Sequence, residues 1–159
     1  LAMVSALAPM SAFAADDTVI NQGSTDKTGE MTATYDVTAK YTVTIPAGVT
    51  LDADAEVTSD ITAENVLLES GQTIKVTLTE GSHTTSGSTF HAVKGDSTAE
   101  YTISAGTPAT AVSVGGTVAT FSTGSAKQTS TLTFSKPTGW TAAGEHSETL
   151  TFTIATVDN

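Results

Sequence analysis

The stretch from Gly144 to Thr156 alternates between two kinds of side chain, and this alternation limits the folds open to the chain. Its even positions include Leu150, Phe152 and Ile154, whereas Thr occupies most of the odd positions between them. Residues two apart point to the same side of an extended strand but to different sides of a helix. The stretch is therefore predicted to be a β-strand with one apolar and one hydroxylated face, which needs further strands to bury its apolar face.

Alternating stretches of the same kind recur along the chain, separated by turns rich in Gly, Ser and Pro. The longest runs from Met31 to Ile45 and predicts one strand, or two strands joined by a bend, ended by Pro46. The other predicted strands and apolar segments are Val49–Leu51, Val57–Ala63, Asn65–Leu68, Thr73–Thr79, Thr89–Val93, Thr98–Ser104, Ala111–Val114, Thr117–Ser122 and Gln128–Ser135. Lys94–Ser97 predicts a hairpin connection, and we expect the strands that flank Gly115-Gly116 to pair with each other.

No stretch combines helical periodicity with helix caps, so the sequence indicates an all-β fold. Many short strands joined by short turns are typical of an Ig-like antiparallel β-sandwich, here of about nine or ten strands. A chain of 159 residues is long enough to bury a core in one domain. We assign this domain to residues 31–159.

The first residues are interpreted separately from the domain. Residues 1–14 are apolar, rich in small side chains and end in Ala12-Phe13-Ala14, which resembles the A-x-A cleavage site of a secretory signal peptide. The alternative is a short buried helix. We expect a truncated signal-peptide remnant over 1–14, followed by a polar flexible arm over 15–30. The wider segment from Asp16 to Met31 is a candidate to become ordered on binding.

Charge and cysteine content exclude several classes of function. The formal net charge is -11, and all six basic residues are Lys. Nucleic-acid backbones require clustered Lys and Arg, and an anionic membrane surface repels an acidic chain. The sequence contains no Cys, which excludes a thiol nucleophile, a Cys-ligated zinc site and a disulfide within this chain.

The acidic residues Asp52, Asp54 and Glu56 form the strongest candidate for a metal site. Carboxylates two residues apart in an extended loop can converge on a hard cation such as Ca²⁺. The loop lacks the glycine and the distal glutamate of an EF-hand. The alternative is an acidic loop exposed to solvent, as most surface charges are. No other cofactor is indicated.

Catalytic signatures are missing from the sequence. The three histidines have no metal-ligand spacing, and no serine has the G-x-S-x-G context of a hydrolase nucleophile. A glycosidase needs two carboxylates on a rigid scaffold, and nothing in the sequence pairs the candidates. The histidines are His83, His91 and His146, and the carboxylates are Glu100, Glu145 and Glu148. We therefore expect no enzymatic activity.

Trp140 is the only tryptophan and follows Gly139 in a predicted loop. If it is exposed, its indole could stack on a sugar ring; if it is buried, it closes one end of the core. Burial is favoured, because tryptophan is largely buried in most proteins. The tyrosines share the parity of apolar neighbours and are expected in the core with their hydroxyls near its edge. They are Tyr35, Tyr41 and Tyr101.

Two stretches carry a resemblance to known proteins. The segment Ala143–Ile154, reading A-G-E-H-S-E-T-L-T-F-T-I, resembles the C-terminal ending A-G-x-Y-x-D-T-L-T-F-T-V of secreted bacterial Ig-like and pilin-like β-sandwich domains. The stretch Tyr41–Pro46 is similar to an early strand of secreted proteins from gut-type bacteria. The chain departs from the ending by having His146 in place of Tyr and Glu148 in place of Asp. The resemblance implies a non-catalytic surface domain.

Three hypotheses about function follow. The first is a secreted structural or adhesive cell-surface domain, whose partners are other copies of itself, surface proteins or glycans. If such a subunit assembles as a fibre, the resemblance implies strand addition, with the candidate arm Asp16–Met31 of one copy completing the sheet of the next. The second is a carbohydrate-binding module that uses Trp140 and the tyrosines. The third is a secreted hydrolase with two carboxylates facing one cleft.

Overall fold

The computed structural model describes Gln22, Gly23, Thr25 and residues 31–159. The described residues form nine β-strands and no helix. The strands are β1 (Lys40–Thr44), β2 (Val57–Leu67), β3 (Gln72–Gly81), β4 (Thr89–Lys94), β5 (Ser97–Ala105), β6 (Thr110–Val112), β7 (Thr117–Phe121), β8 (Gln128–Phe134) and β9 (Leu150–Asp158). The predicted signal peptide lies outside the described residues, as does the predicted arm except at Gln22, Gly23 and Thr25.

The strands form two antiparallel sheets. The larger sheet has six strands in the order β1-β2-β8-β5-β4, with β6 pairing with β5 beyond the end of β4. The smaller sheet has the order β7-β3-β9. One continuous core contains residues of both sheets, so the arrangement is sandwich-like and the predicted all-β class is confirmed.

The core follows the alternation of the sequence. In β3 the side chains of Ile74, Val76 and Leu78 are fully buried, whereas the Lys75 side chain between them is exposed. In β8, Leu132 and Phe134 point inward as predicted. Burying each such side chain contributes about 1.5–3 kcal/mol, which makes the inward face the main source of stability in β3 and β8.

The predicted strand from Met31 to Ile45 is wrong for its first part. The regular strand begins at Lys40, and residues 31–39 are assigned to no strand. The side chains of Met31, Tyr35 and Val37 are 95%, 91% and 57% exposed, so the expected burial of Tyr35 is also wrong. The residues have the alternation of a strand but no neighbouring strand within the described chain. We refer to residues 31–39 as the pre-β1 segment.

The predicted pairing across Gly115-Gly116 is wrong as well. β6 pairs with β5 in the larger sheet, whereas β7 pairs with β3 in the smaller one. The two glycines bond to Leu78 of β3, with Gly115 N donating to Leu78 O at 2.7 Å and Leu78 N donating to Gly116 O at 3.0 Å. These hydrogen bonds hold the turn against β3 at the point where the chain passes from the larger sheet to the smaller one.

Other boundaries differ by smaller amounts. No strand forms over Val49–Leu51, and the two segments predicted on either side of Glu64 form the single strand β2. The hairpin at Lys94–Ser97 is confirmed, because β4 and β5 pair directly across Gly95-Asp96. β9 begins at Leu150, several residues later than predicted, although its apolar residues keep the predicted parity.

Candidate binding cleft

The two sheets differ in width. The larger sheet is five strands across from β1 to β4, and the smaller sheet is three strands across. At a spacing of about 4.8 Å between strands, five strands span roughly 19 Å and three span roughly 10 Å. The smaller sheet therefore leaves the inner face of about two strands of the larger sheet without an opposing strand.

A cleft with a volume of about 770 Å³ lies over this part of the larger sheet, between loops that leave most of its floor residues buried. Its floor consists of inward-facing residues of the larger sheet, namely Ser59, Ile61, Ala92, Ala99, Tyr101, Leu132 and Phe134. Among the described residues of the smaller sheet, those that line the cleft are Leu150 and Phe152, both in β9. The part of the larger sheet that has no opposing strand thus lies on the β9 side of the sandwich-like core.

β9 is also a sheet edge. Within the described chain it pairs with β3 and with no second strand. An edge strand leaves the N–H and C=O groups on its outer side unpaired. Leu150, Phe152 and Ile154 point inward from β9 but are only half-buried. Within residues 31–159, an edge without a partner strand and a half-buried apolar row therefore lie side by side.

Two loops border the cleft. Residues 45–51, between β1 and β2, form one side, and the loop between β8 and β9 contributes Pro137, Trp140 and residues 142–149. The second loop is held by two pairs of backbone hydrogen bonds. One joins Glu100 to Thr138 and the other joins Val93 to Ser147. These bonds place the loop along β5 and along the outer side of β4.

Glu148 forms a polar corner of the cleft. Its Oε2 accepts hydrogen bonds from the Tyr101 hydroxyl at 2.8 Å and from the His91 backbone N–H at 3.0 Å. Its Oε1 accepts a longer one from the His83 backbone N–H, at 3.4 Å. A Cβ at Gly81 would contact Oε1 of this carboxylate, so the close approach of Glu148 requires glycine there. The carboxylate thus joins residues of β4 and β5 to the segment that enters β9.

The environment of Tyr101 keeps its hydroxyl protonated. Burial raises the pKa of the Tyr101 phenol far above its ordinary value, because the charged phenolate would lose its solvation. The hydrogen bond to Glu148 and the negative charge of that carboxylate raise the pKa further. The phenol therefore acts as a permanent hydrogen-bond donor to Glu148.

Ser97 and His146 form a second polar contact, in which the Ser97 Oγ lies 2.7 Å from His146 Nε2. His146 Nδ1 lies 3.0 Å from the Gly144 carbonyl oxygen. A carbonyl only accepts, so in the neutral imidazole Nδ1 carries the proton and Nε2 accepts from the serine hydroxyl. This geometry resembles a nucleophile–base pair.

The surroundings of Ser97 indicate an anchor and not a nucleophile. Its Oγ also accepts hydrogen bonds from the backbone N–H groups of Thr141 and Ala142, at 2.9 and 3.0 Å. A hydroxyl has one donor and two acceptor positions, so all three are used. Ser97 is buried, and its hydroxyl ties the loop that carries Trp140 to the β4–β5 hairpin.

Trp140 lines the cleft and is 47% exposed, so the expectation that it is largely buried is wrong.

The acidic residues Asp52, Asp54 and Glu56 are exposed, and the Asp52 carboxylate accepts a hydrogen bond from the Asp54 backbone N–H at 2.7 Å. Among the described residues no group of three His, Cys, Asp or Glu side chains could hold a metal ion. Calcium binding by this loop stays a prediction.

The sequence contained one unused signal for the polar corner. Glu148 has the parity of Leu150 and Phe152, so an acidic residue interrupts an inward-facing row. An inward carboxylate needs hydrogen-bond donors, and Tyr101 has the inward parity of β5. The contribution of Ser97 had no comparable signal, because its partners lie more than forty positions away in the sequence.

Comparisons with known proteins found no relative of the chain. No protein-family model, curated protein or solved structure matches the chain. In the part of the chain that the structure describes, no helix has the length and apolar character needed to cross a membrane.

Proposed function

We propose that the protein is a secreted, non-enzymatic structural or adhesive subunit of the bacterial cell surface, with an Ig-like β-sandwich domain that assembles by strand addition. One observation carries the proposal: among the described residues β9 has no strand on its outer edge, and this edge lies beside a cleft with an apolar floor. A strand added to β9 would pair with its outer backbone groups and cover its half-buried apolar row.

Two further features support this function. The resemblance of the segment around β9 to secreted Ig-like and pilin-like domains favours a surface subunit. The polar side chains that border the cleft are hydrogen-bonded to each other and to the backbone, as expected for groups that fix a loop.

The assembly state tests the proposal. Full-length protein is measured by size-exclusion chromatography with light scattering over a hundredfold range of concentration, and the largest fractions are examined by negative-stain microscopy. We expect species of several subunits whose share grows with concentration, and linear particles among them. A single species with the mass of one chain at every concentration would contradict assembly.

Carbohydrate binding is a second candidate, favoured by the half-exposed indole of Trp140 at the border of the cleft. Aromatic faces beside hydrogen-bonding groups suit sugar rings, and Tyr101 and Glu148 lie in the same cleft. A glycan array tests this function. Binding that is lost in Trp140→Ala and kept in Tyr35→Ala would support it, whereas silence across the array would exclude the glycans sampled.

A further inference from the structure

The cleft beside β9 sets two requirements for an occupant. The outer edge of β9 has no partner strand in the described part of the chain, so its backbone groups call for a backbone in extended conformation. The apolar floor and the half-buried side chains of Leu150 and Phe152 call for apolar groups on one side of that backbone. An extended peptide with apolar residues at every second position meets both requirements.

The pre-β1 segment, residues 31–39, has this composition. Its odd positions are all apolar, and its even positions hold three Thr and one Asp. The apolar positions are Met31, Ala33, Tyr35, Val37 and Ala39. Exposure of such a row to solvent is unfavourable, since burial of one large apolar side chain contributes about 1.5–3 kcal/mol.

Length also fits. Nine extended residues span roughly 30 Å, and β9 has the same number of residues.

We propose that residues 31–39 of one copy add as a strand to the outer edge of β9 of a second copy and bury Tyr35 and Val37 in its cleft. This inference rests on the proposed function and names the segment and the edge that carry it. Donor and acceptor are different surfaces of one chain, so the contact is heterologous and can repeat into a filament.

A second copy suits the geometry better than the same copy. Ala39 is followed directly by Lys40, the first residue of β1 in the larger sheet, whereas β9 belongs to the smaller one. No residue is left between the pre-β1 segment and β1 to form the connection from one sheet to the other. A strand from another subunit has no such constraint.

Disulfide crosslinking tests the proposal, because the chain has no native Cys. Full-length donor protein with Val37→Cys is mixed with tagged acceptor protein carrying Phe152→Cys or Leu150→Cys, under mild oxidation. Residues that face the same way on neighbouring strands come close enough for a disulfide. We expect a donor–acceptor product at least ten times more abundant than in matched mixtures with Thr153→Cys, whose exposed side chain lies on the other face of β9.

A second test changes only the pre-β1 segment of the donor, so its result does not depend on how an altered β9 folds. Tyr35 and Val37 are exposed, so Tyr35→Asp with Val37→Asp leaves the core intact. We expect this double variant to reduce the share of multi-subunit species at least tenfold, whereas Thr34→Asp with Thr38→Asp, at even positions, reduces it less than threefold.

The outcomes separate the two proposals. If assemblies form but neither acceptor cysteine crosslinks above the control, the segment or the edge is wrong and the proposed function stands. A disulfide formed within one chain carrying both cysteines, in place of one between chains, would overturn the second copy as occupant. If no assembly forms at any concentration, both the proposed function and this inference fail.

Discussion

The Tyr101 hydroxyl donates a 2.8 Å hydrogen bond to Oε2 of Glu148 and so links the larger sheet to the segment that enters β9. Tyr101 lies in β5, where its ring packs between Phe90 and Phe134 with centroid distances of 5.7 and 6.2 Å. The two phenylalanine rings hold the Tyr101 ring in position, and the Tyr101 hydroxyl in turn holds the Glu148 carboxylate. This contact therefore sets the position at which β9 begins, at one end of the cleft.

Removal of the carboxylate is expected to destabilise the domain. Glu148→Ala leaves the buried Tyr101 hydroxyl without its acceptor, and an unsatisfied buried polar group costs about 1–3 kcal/mol. We expect the free energy of unfolding in urea to fall by about 2 kcal/mol. Glu69→Ala, which removes an exposed carboxylate, serves as control and should change it by less than about 0.5 kcal/mol. Equal values for the two variants would contradict the structural role of Glu148.

Stability is expected to decline at alkaline pH in a way that depends on Tyr101. Burial raises the pKa of this phenol in the folded state, so above a pH of about 10 the unfolded chain loses a proton that the folded chain keeps. Unfolding is then favoured as pH rises, by up to about 1.4 kcal/mol per pH unit from this group. We expect the free energy of unfolding, measured in urea between pH 8 and 11, to decline less steeply with pH in Tyr101→Phe than in the wild type. Parallel pH dependences for the two proteins would contradict the raised pKa of Tyr101.

The anchor at Ser97 gives a third prediction. Ser97→Ala removes the acceptor of the Thr141 and Ala142 backbone N–H groups and the partner of His146. We expect a loss of about 1–3 kcal/mol in the free energy of unfolding, measured in urea. Ser113→Ala, at an exposed serine, should cost less than about 0.5 kcal/mol. A nucleophilic role would instead make Ser97 react covalently with a fluorophosphonate probe, which we do not expect.

Trp140 is an internal reporter of the cleft. It is the only tryptophan, and the pre-β1 segment contains none. When that segment fills the cleft, the half-exposed indole becomes more buried, so its emission should shift to shorter wavelength and acrylamide should quench it less. The change should follow concentration in the wild type and be absent in Tyr35→Asp with Val37→Asp. Assembly without any change in quenching would place the contact elsewhere.

The sequence predicted the parts of the fold that depend on local patterns. The inward parity of β3 and of Leu132 in β8, and the hairpin between β4 and β5, follow from alternation and turn residues a few positions apart. The route of the chain at Gly115-Gly116 did not, because it depends on hydrogen bonds to Leu78. Alternation in residues 31–39 shows a capacity to form a strand, but it carries no information on where the partner strand lies.

The candidate site was predictable only in fragments. Trp140 was identified from the sequence, but its exposure depends on the path of its loop, which Ser97 at the start of β5 holds through hydrogen bonds. The cleft itself results from the unequal widths of the two sheets. Width depends on which strands join which sheet, and no local pattern encodes that assignment. Glu148 and Tyr101 both have inward parity in the sequence, but their contact and the backbone donors at His83 and His91 join residues far apart in the chain.

Binding of the isolated segment to the edge of β9 tests the central claim most directly. A labelled peptide with the sequence of residues 31–39 is titrated with full-length protein carrying Tyr35→Asp and Val37→Asp, whose own segment cannot compete, and fluorescence anisotropy is recorded. We predict a saturable rise that excess unlabelled peptide reverses and that a peptide with Val37→Asp does not produce. Anisotropy that stays flat, or that rises equally with both peptides, would contradict the addition of this strand to β9.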